Sequence, residues 1–261
     1  MAGSIQLICE RGNYQYHLYI IVGVTISGVH TLNNRNKSVG VSVIATYFLV
    51  VVLILFGDEI GFTDLFEDEP TLNREIMKSV KSTTNRNDYI AASRAESYDN
   101  YGVTRDIRYL ESVVAEKSPN KKIYCVGLMF DIYMKSCEIA KGKDFVLPKV
   151  SLTNFSEFRK DFYGVDGNKK TFVHALESRG LGREIRDLNE ARKGDLVQFW
   201  RKNSGHAVVF LEWHKKDEEI TGIRYWSVQS RTGIGVNSEK IGEDQAIKPD
   251  QVYIVRAFEP K

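Results

Sequence analysis

Residues 38–57, "SVGVSVIATYFLVVVLILFG", contain no charged side chain, and no other stretch limits the organisation of this chain so firmly. At about 1.5 Å per helical residue, such a run spans roughly the 30 Å hydrocarbon core of a bilayer, which predicts an N-terminal transmembrane helix. A soluble core helix would carry a polar face. A cleaved signal peptide would have a shorter apolar region ending in small residues, and "LFGDEIG" offers no such ending. Arg35 and Lys37 precede the run, whereas Asp58, Glu59, Asp64, Glu67, Asp68 and Glu69 follow it. Basic flanks stay cytoplasmic, so the chain after Gly57 is expected outside the cytoplasm, periplasmic or at the cell surface. An earlier apolar run, "YHLYIIVGVTISGV" (Tyr16–Val29), is shorter and holds a histidine and two glycines. It is open to three readings: a first span over about 14–30, an interfacial segment, or sequence upstream of the true start.

The expected division is therefore a membrane segment over 1–57, an acidic linker over 58–70 and a folded domain over 71–261. From about Thr71 to Ser118 the pattern is helical, with periodic apolar positions in "REIMKSV" and "IRYLESVVAEK". "SPNKK" breaks the chain, and a further helix begins near Ile123. Residues 142–190 read as loop with short helices in "NFSEFRKDF" and "KKTFVHALESRG". After Lys193 the runs "GDLVQFW", "HAVVFLEW", "IRYWSVQ" and "VYIVRAF" are β-branched and aromatic, separated by charged turns and a Gly-rich loop. Helices followed by a strand meander make the fold class α+β, with helices packed on an antiparallel sheet.

A net charge of +2 and the lack of any Lys/Arg run give no electrostatic footprint for nucleic acid. Cys9, Cys125 and Cys137 are too few for a disulfide framework, and no Cys/His spacing suits zinc, so a metal is not expected. In "YCVGLMFDIYMKS", Val126, Phe130, Tyr133, Met134 and Cys137 recur at three- and four-residue spacing as a buried stripe. Cys125 opens that helix and has two readings. A cysteine is most often a buried small hydrophobe, but a helix N-terminus also favours a thiolate.

A nucleophilic cysteine needs a base, and the base needs an orienting group. His206 opens a strand after the turn "KNSG", at the rim of a sheet. His214 lies in a charged turn, His174 in a short helix, and His17 and His30 in or beside the first apolar run. If "HAVVFLEW" and "IRYWSVQ" pair around "KKDEE", partner numbers sum to about 435, and His206 faces Gln229 to within about two residues. An amide there would hold one ring nitrogen and leave the other for the thiol.

These residues carry a resemblance. "YCVGLMFDIYMKS" resembles the cysteine-bearing helix of the NlpC-type, papain-like cell-wall cysteine peptidases, which opens Asp-Cys-Ser-Gly-Phe/Leu; Tyr124 and Val126 replace the usual Asp and Ser. "ARKGDLVQFW" followed by "SGHAVVFLEW" is similar to that family's Gly-Asp-Leu-Val strand and its histidine strand, with Asp195 and His206 in the matching places. "WSVQSRTGIGV" resembles the third segment, where Gln229 takes the slot of the orienting polar residue. "YDNYG" resembles the Tyr-rich segment upstream of the cysteine, with Tyr98 the better match. The resemblance covers about 95–258. It implies a papain-like domain that hydrolyses amide bonds of peptidoglycan peptides. Cys125 would be the nucleophile, His206 the base and Gln229 its orienting group, with Tyr98 and Tyr124 lining the substrate or oxyanion site, and neither a cofactor nor a metal would be needed. Three alternatives share the residues: an inactive domain that binds wall or partner, an antibacterial wall-degrading effector, and a lipid acyltransferase or acylhydrolase. In the last group His usually precedes Cys, the reverse of the order here.

Overall fold

The computed structural model describes residues 5–12, 15–22, 71–83, 90–91, 101–202, 204–230, 232–242 and 247–261. The chain divides into two compact units, Met1–Leu65 and Phe66–Lys261. In the first, strands β1 (Ile5–Gly12) and β2 (Gln15–Val22) form an antiparallel hairpin in which Ile5 pairs with Val22 and Gly12 with Gln15.

The fold class expected from sequence, an α+β domain preceded by an N-terminal transmembrane helix, is corrected here. Among the described residues no helix is long and apolar enough to cross a membrane. The possible first span over 14–30 begins as strand, because "QYHLYIIV", with Tyr16, Tyr19, Ile20, Ile21 and Val22, is rich in β-branched and aromatic residues and pairs with a neighbour of equal length. The run at 38–57 and the linker at 58–70 lie outside the described residues.

The second unit is α+β. Helix α1 (Asn73–Thr83) is followed by the short strand β3 (Ile90–Ala91) and by a hairpin of β4 (Ile107–Tyr109) and β5 (Ser112–Ala115). Strand β6 (Lys122–Ile123) pairs with β3, and helices α2 (Cys125–Lys141), α3 (Phe155–Tyr163) and α4 (Phe172–Arg179) follow. The remaining strands are β7 (Gly182–Ile185), β8 (Leu196–Arg201), β9 (Ser204–Lys216), β10 (Glu219–Gln229), β11 (Gly233–Lys240) and β12 (Ile247–Ala257). They form one antiparallel sheet in the order β11-β10-β9-β8-β12-β7. β8 to β11 are a meander, and β12 returns to the far side of β8.

The helical reading of "IRYLESVVAEK" is overturned by the β4–β5 hairpin. Leu110 and Glu111, both at positive φ (46° and 67°), turn the chain between β-branched runs, so the apparent helical period had no helix to serve. The other helices form where apolar spacing placed them. Helix α2 goes further than its stripe, being buried continuously from Val126 to Met134. Phe130 packs 5.2 Å from Phe162 and 5.6 Å from Tyr163, and Phe162 packs 5.4 Å from Phe172. Asp131 survives inside this helix because it accepts from Thr104 N (3.0 Å) and Arg105 Nε (2.8 Å).

Two features fix the frame around the future site. Asp195 and Arg256 form a buried two-pronged ion pair (3.0 and 2.9 Å), and Asp195 also accepts from Asn73 Nδ2 at 2.8 Å, tying α1 to the sheet. The unit's ends also meet: Thr71 bridges Phe258, and Leu72 N donates to Ala257 O at 2.9 Å.

Candidate functional site

Cys125 is the first residue of α2. Its N-cap, Tyr124, is extended (φ −129°, ψ 160°) and makes no side-chain capping hydrogen bond to the first turn. Two glycines let another segment press against this turn. A Cβ on Gly127 would lie 2.3 Å from Tyr101 O, and a Cβ on Gly102 (φ +60°) would lie 2.5 Å from the Tyr124 ring. The glycine two residues after Cys125 is thus a point of close backbone approach.

His206 stands near the start of β9, opposite Phe199 of β8, and is buried between the rings of Phe199 and Tyr225, each 5.5 Å away. Its Nε2 lies 2.9 Å from Nε2 of Gln229, the last residue of β10. The β9–β10 register runs from Glu219↔Lys216 through Gly222↔His214 to Trp226↔Val209, and two bulges shift it by one and back. Cys125, His206, Gln229 and Tyr124 all line one cavity of about 500 Å³. The thiol and the imidazole line this cavity together. Tyr98 lies outside the described residues. His214 is exposed and sits 3.1 Å from Ser238 Oγ, and His174 is exposed on α4.

Burial sets the resting protonation. It raises the Cys125 thiol above its ordinary value, against the backbone N–H groups of Ala207 and Val126 and the charge of Arg201. Burial, then Arg201, bring His206 down to about 4, with Glu239 opposing. Near neutral pH the pair is therefore thiol and neutral imidazole.

Four residues of the site are not legible as site residues in the sequence. Tyr225 Oη donates to Glu239 Oε1 at 2.6 Å, and Gln229 Nε2 donates to Tyr225 Oη at 2.6 Å. Arg201 holds Glu239 through Nε (2.7 Å) and through Nη2. Burial works to raise the Glu239 carboxyl, but the bonds from Arg201 and Tyr225 keep it below its usual range. A hydroxyl has one proton, and Tyr225 gives it to Glu239. Its oxygen therefore faces Gln229 as an acceptor and selects the amino end of that amide. The fourth residue, Gln198, is buried in the cavity wall, where Oε1 accepts from Thr171 Oγ1 (3.3 Å) and Nε2 donates to Phe199 O (3.2 Å). Tyr225 could have been found from Gln229, since residues four apart in a strand share a face. Glu239 could not, because its strand reads as a Gly-rich loop.

Among the described residues, no three His, Cys, Asp or Glu side chains converge where they could hold a metal ion. Chemically the arrangement offers a nucleophile, a proton acceptor and backbone N–H donors at one cavity. Comparison with protein-family models, curated proteins and solved structures finds no match to this chain.

Proposed function

We propose that this chain is a thiol hydrolase that cleaves amide bonds of peptidoglycan peptides, with Cys125, His206 and Gln229 as its reacting set. The observation that carries the reading is the 2.9 Å contact between Gln229 and His206 in the cavity that Cys125 opens onto from an uncapped helix start. The substrate class rests on the resemblance of the Cys125, Asp195–His206 and Gln229 segments to NlpC-type peptidases, and it implies action outside the cytoplasm.

In the reaction, Cys125 sulfur bonds to the amide carbon as its proton passes to the ring nitrogen of His206 that Gln229 does not hold, Nδ1. The developing oxyanion receives first-turn N–H groups of α2. Collapse breaks the C–N bond, and the amine leaves with the proton from His206. Water then attacks the thioester with His206 as base, releasing the acid and restoring the thiol. For Nδ1 to accept, the ring must carry its other proton on Nε2, and Gln229 must present its carbonyl end by turning its amide.

The purified chain should release new amines from peptidoglycan, and mass spectrometry of the fragments identifies the bond. Cys125→Ala and His206→Ala should abolish release; wild-type turnover in both would refute the assignment. A second reading, a binding domain without catalysis, is favoured by the neutral resting pair. It requires that a thiol probe fail to label Cys125 faster than an ordinary cysteine at every pH below about 8.5.

A further inference from the structure

Gln198 enters the Cys125 cavity from the side away from His206. In the β8–β9 pairing Phe199 lies opposite His206 and Gln198 opposite Ala207, so the glutamine and the histidine leave opposite faces of the sheet. Both nevertheless line the cavity, which therefore reaches both faces at this end of the two strands. In the proposed reaction His206 gives its proton to the departing amine. The leaving group then lies on the histidine side of Cys125, and the acyl chain on the glutamine side.

The surroundings hold the buried Gln198 amide in one sense and use half of it. Phe199 O can only accept, so it takes the amino end (3.2 Å), and Oε1 is left to accept from Thr171 Oγ1 (3.3 Å). Both bonds are long for their kinds. Among the described residues they occupy one of the two N–H groups and one of the two carbonyl lone pairs. Two neighbours keep the amide in place. Thr171 has φ 46° and ψ −121°, a region that a β-branched residue enters only when its surroundings impose it. Its N–H donates to Asn168 O at 3.1 Å, and a Cβ on Gly164 would lie 2.8 Å from its methyl group. Gly205, next to His206, lets the amide and the Trp200 ring lie against its backbone: a Cβ there would be 2.8 Å from Gln198 Nε2 and 3.0 Å from the indole.

We propose that Gln198 is a specificity residue that reads the substrate's backbone: its amide pairs with one extended residue on the acyl side of the bond cut at Cys125. The proposal rests on the hydrolase reading and deepens it by naming what the cavity recognises there, a backbone N–H and C=O rather than a side chain. An extended residue turns its N–H and C=O to the same side, and a primary amide offers a donor and an acceptor side by side to match them. A site of this kind rejects an analogue that lacks the N–H, because an ester oxygen in its place would face Oε1 lone pair to lone pair.

The test uses the full chain and two chloromethyl ketones, N-acetyl-alanyl-alanyl and O-acetyl-lactyl-alanyl, which differ only in one N–H replaced by oxygen. With either, the bond from Cys125 sulfur to the methylene carbon forms as the carbon–chlorine bond breaks. Chloride leaves, the thiol proton passes to His206, and mass spectrometry follows the rate. The amide reagent should label about tenfold faster, the equivalent of one buried hydrogen bond. Gln198→Met, similar in length but without an amide, should bring the two rates together, whereas a purely structural glutamine would leave their ratio unchanged. Gly205→Ala, which presses on Nε2, should also shrink the ratio, and it decides the matter if Gln198→Met misfolds. Fast and equal rates in the wild type, or a preference that survives intact in either variant, would overturn the role of Gln198 and leave the hydrolase reading standing. If neither reagent labels wild type faster than His206→Ala, the hydrolase reading falls and this role with it.

Discussion

At the residue scale, one hydroxyl proton governs the site. Tyr225 spends it on Glu239 and offers Gln229 only lone pairs, so the amide is held with its amino end toward His206. That end cannot accept a proton from Nε2, which favours the neutral ring. Arg201 adds positive charge on the same side, Glu239 opposes it, and Cys125 is neutral at rest. In Tyr225→Phe the amide is free to turn its carbonyl to His206 and stabilise the imidazolium. The midpoint of Cys125 alkylation against pH should then fall by about one unit, the size of a hydrogen bond to a charged group. An unmoved midpoint would show that Tyr225 does not orient the amide. The sequence exposed Cys125, His206 and Gln229 because each sits at an element boundary that short-range patterns mark. It hid Glu239 because its strand reads as a Gly-rich loop, and Arg201 because its partner Glu239 lies on a strand distant in the chain.

At the element scale, the hairpin of β9 and β10 measures the site. Its turn residues, Asp217 and Glu218, both take positive φ (49° and 67°), the two-residue geometry that matches strand twist. Partner numbers sum to 435 beside the turn (Glu219↔Lys216), to 436 in the middle (Gly222↔His214) and to 435 again at Trp226↔Val209. The offsetting bulges are why simple counting from the turn leads to the His206–Gln229 contact. Strands β8, β9, β10 and β12 were legible from their apolar runs. β11 was not, because its "GIG" opening resembles a loop and its pairing partner supplies the order. The start of α2 is similarly dictated from outside. Alanine at Gly127 would favour the helix by about 1 kcal/mol, but its Cβ would sit 2.3 Å from a backbone carbonyl. Overpacking costs about 1–3 kcal/mol, so Gly127→Ala should lower the denaturant midpoint and slow alkylation of Cys125. A stabilised Gly127→Ala would mean that the Tyr101–Gly102 segment yields freely.

At the scale of the whole unit, the Gly-Asp pair before β8 works as a joint rather than as part of the chemistry. Gly194 (φ +96°) passes so close to α1 that a Cβ would lie 2.6 Å from Asn73 O, and Asp195 collects Arg256, Asn73 and the Arg192 N–H. Removing one member of a buried ion pair costs about 3–5 kcal/mol, so Asp195→Asn should lose that much in urea unfolding. Asp195→Leu combined with Arg256→Met should regain only part of it, because the stranded charge is gone but the Asn73 amide and the Arg192 N–H lose their acceptor. A double variant less stable than Asp195→Asn would show that the pair stabilises beyond its own neutralisation. The bridge between Thr71 and Phe258 has a consequence for chain connectivity. Since the unit's first and last strands of backbone already touch, a short linker from Lys261 to Thr71 would close it into a ring, and the polypeptide could be reopened at the exposed Asp217–Glu218 turn. Such a permuted chain would begin with β10 and end with β9, carrying Gln229 ahead of Cys125 and His206 in the new order while leaving the architecture that joins them the same.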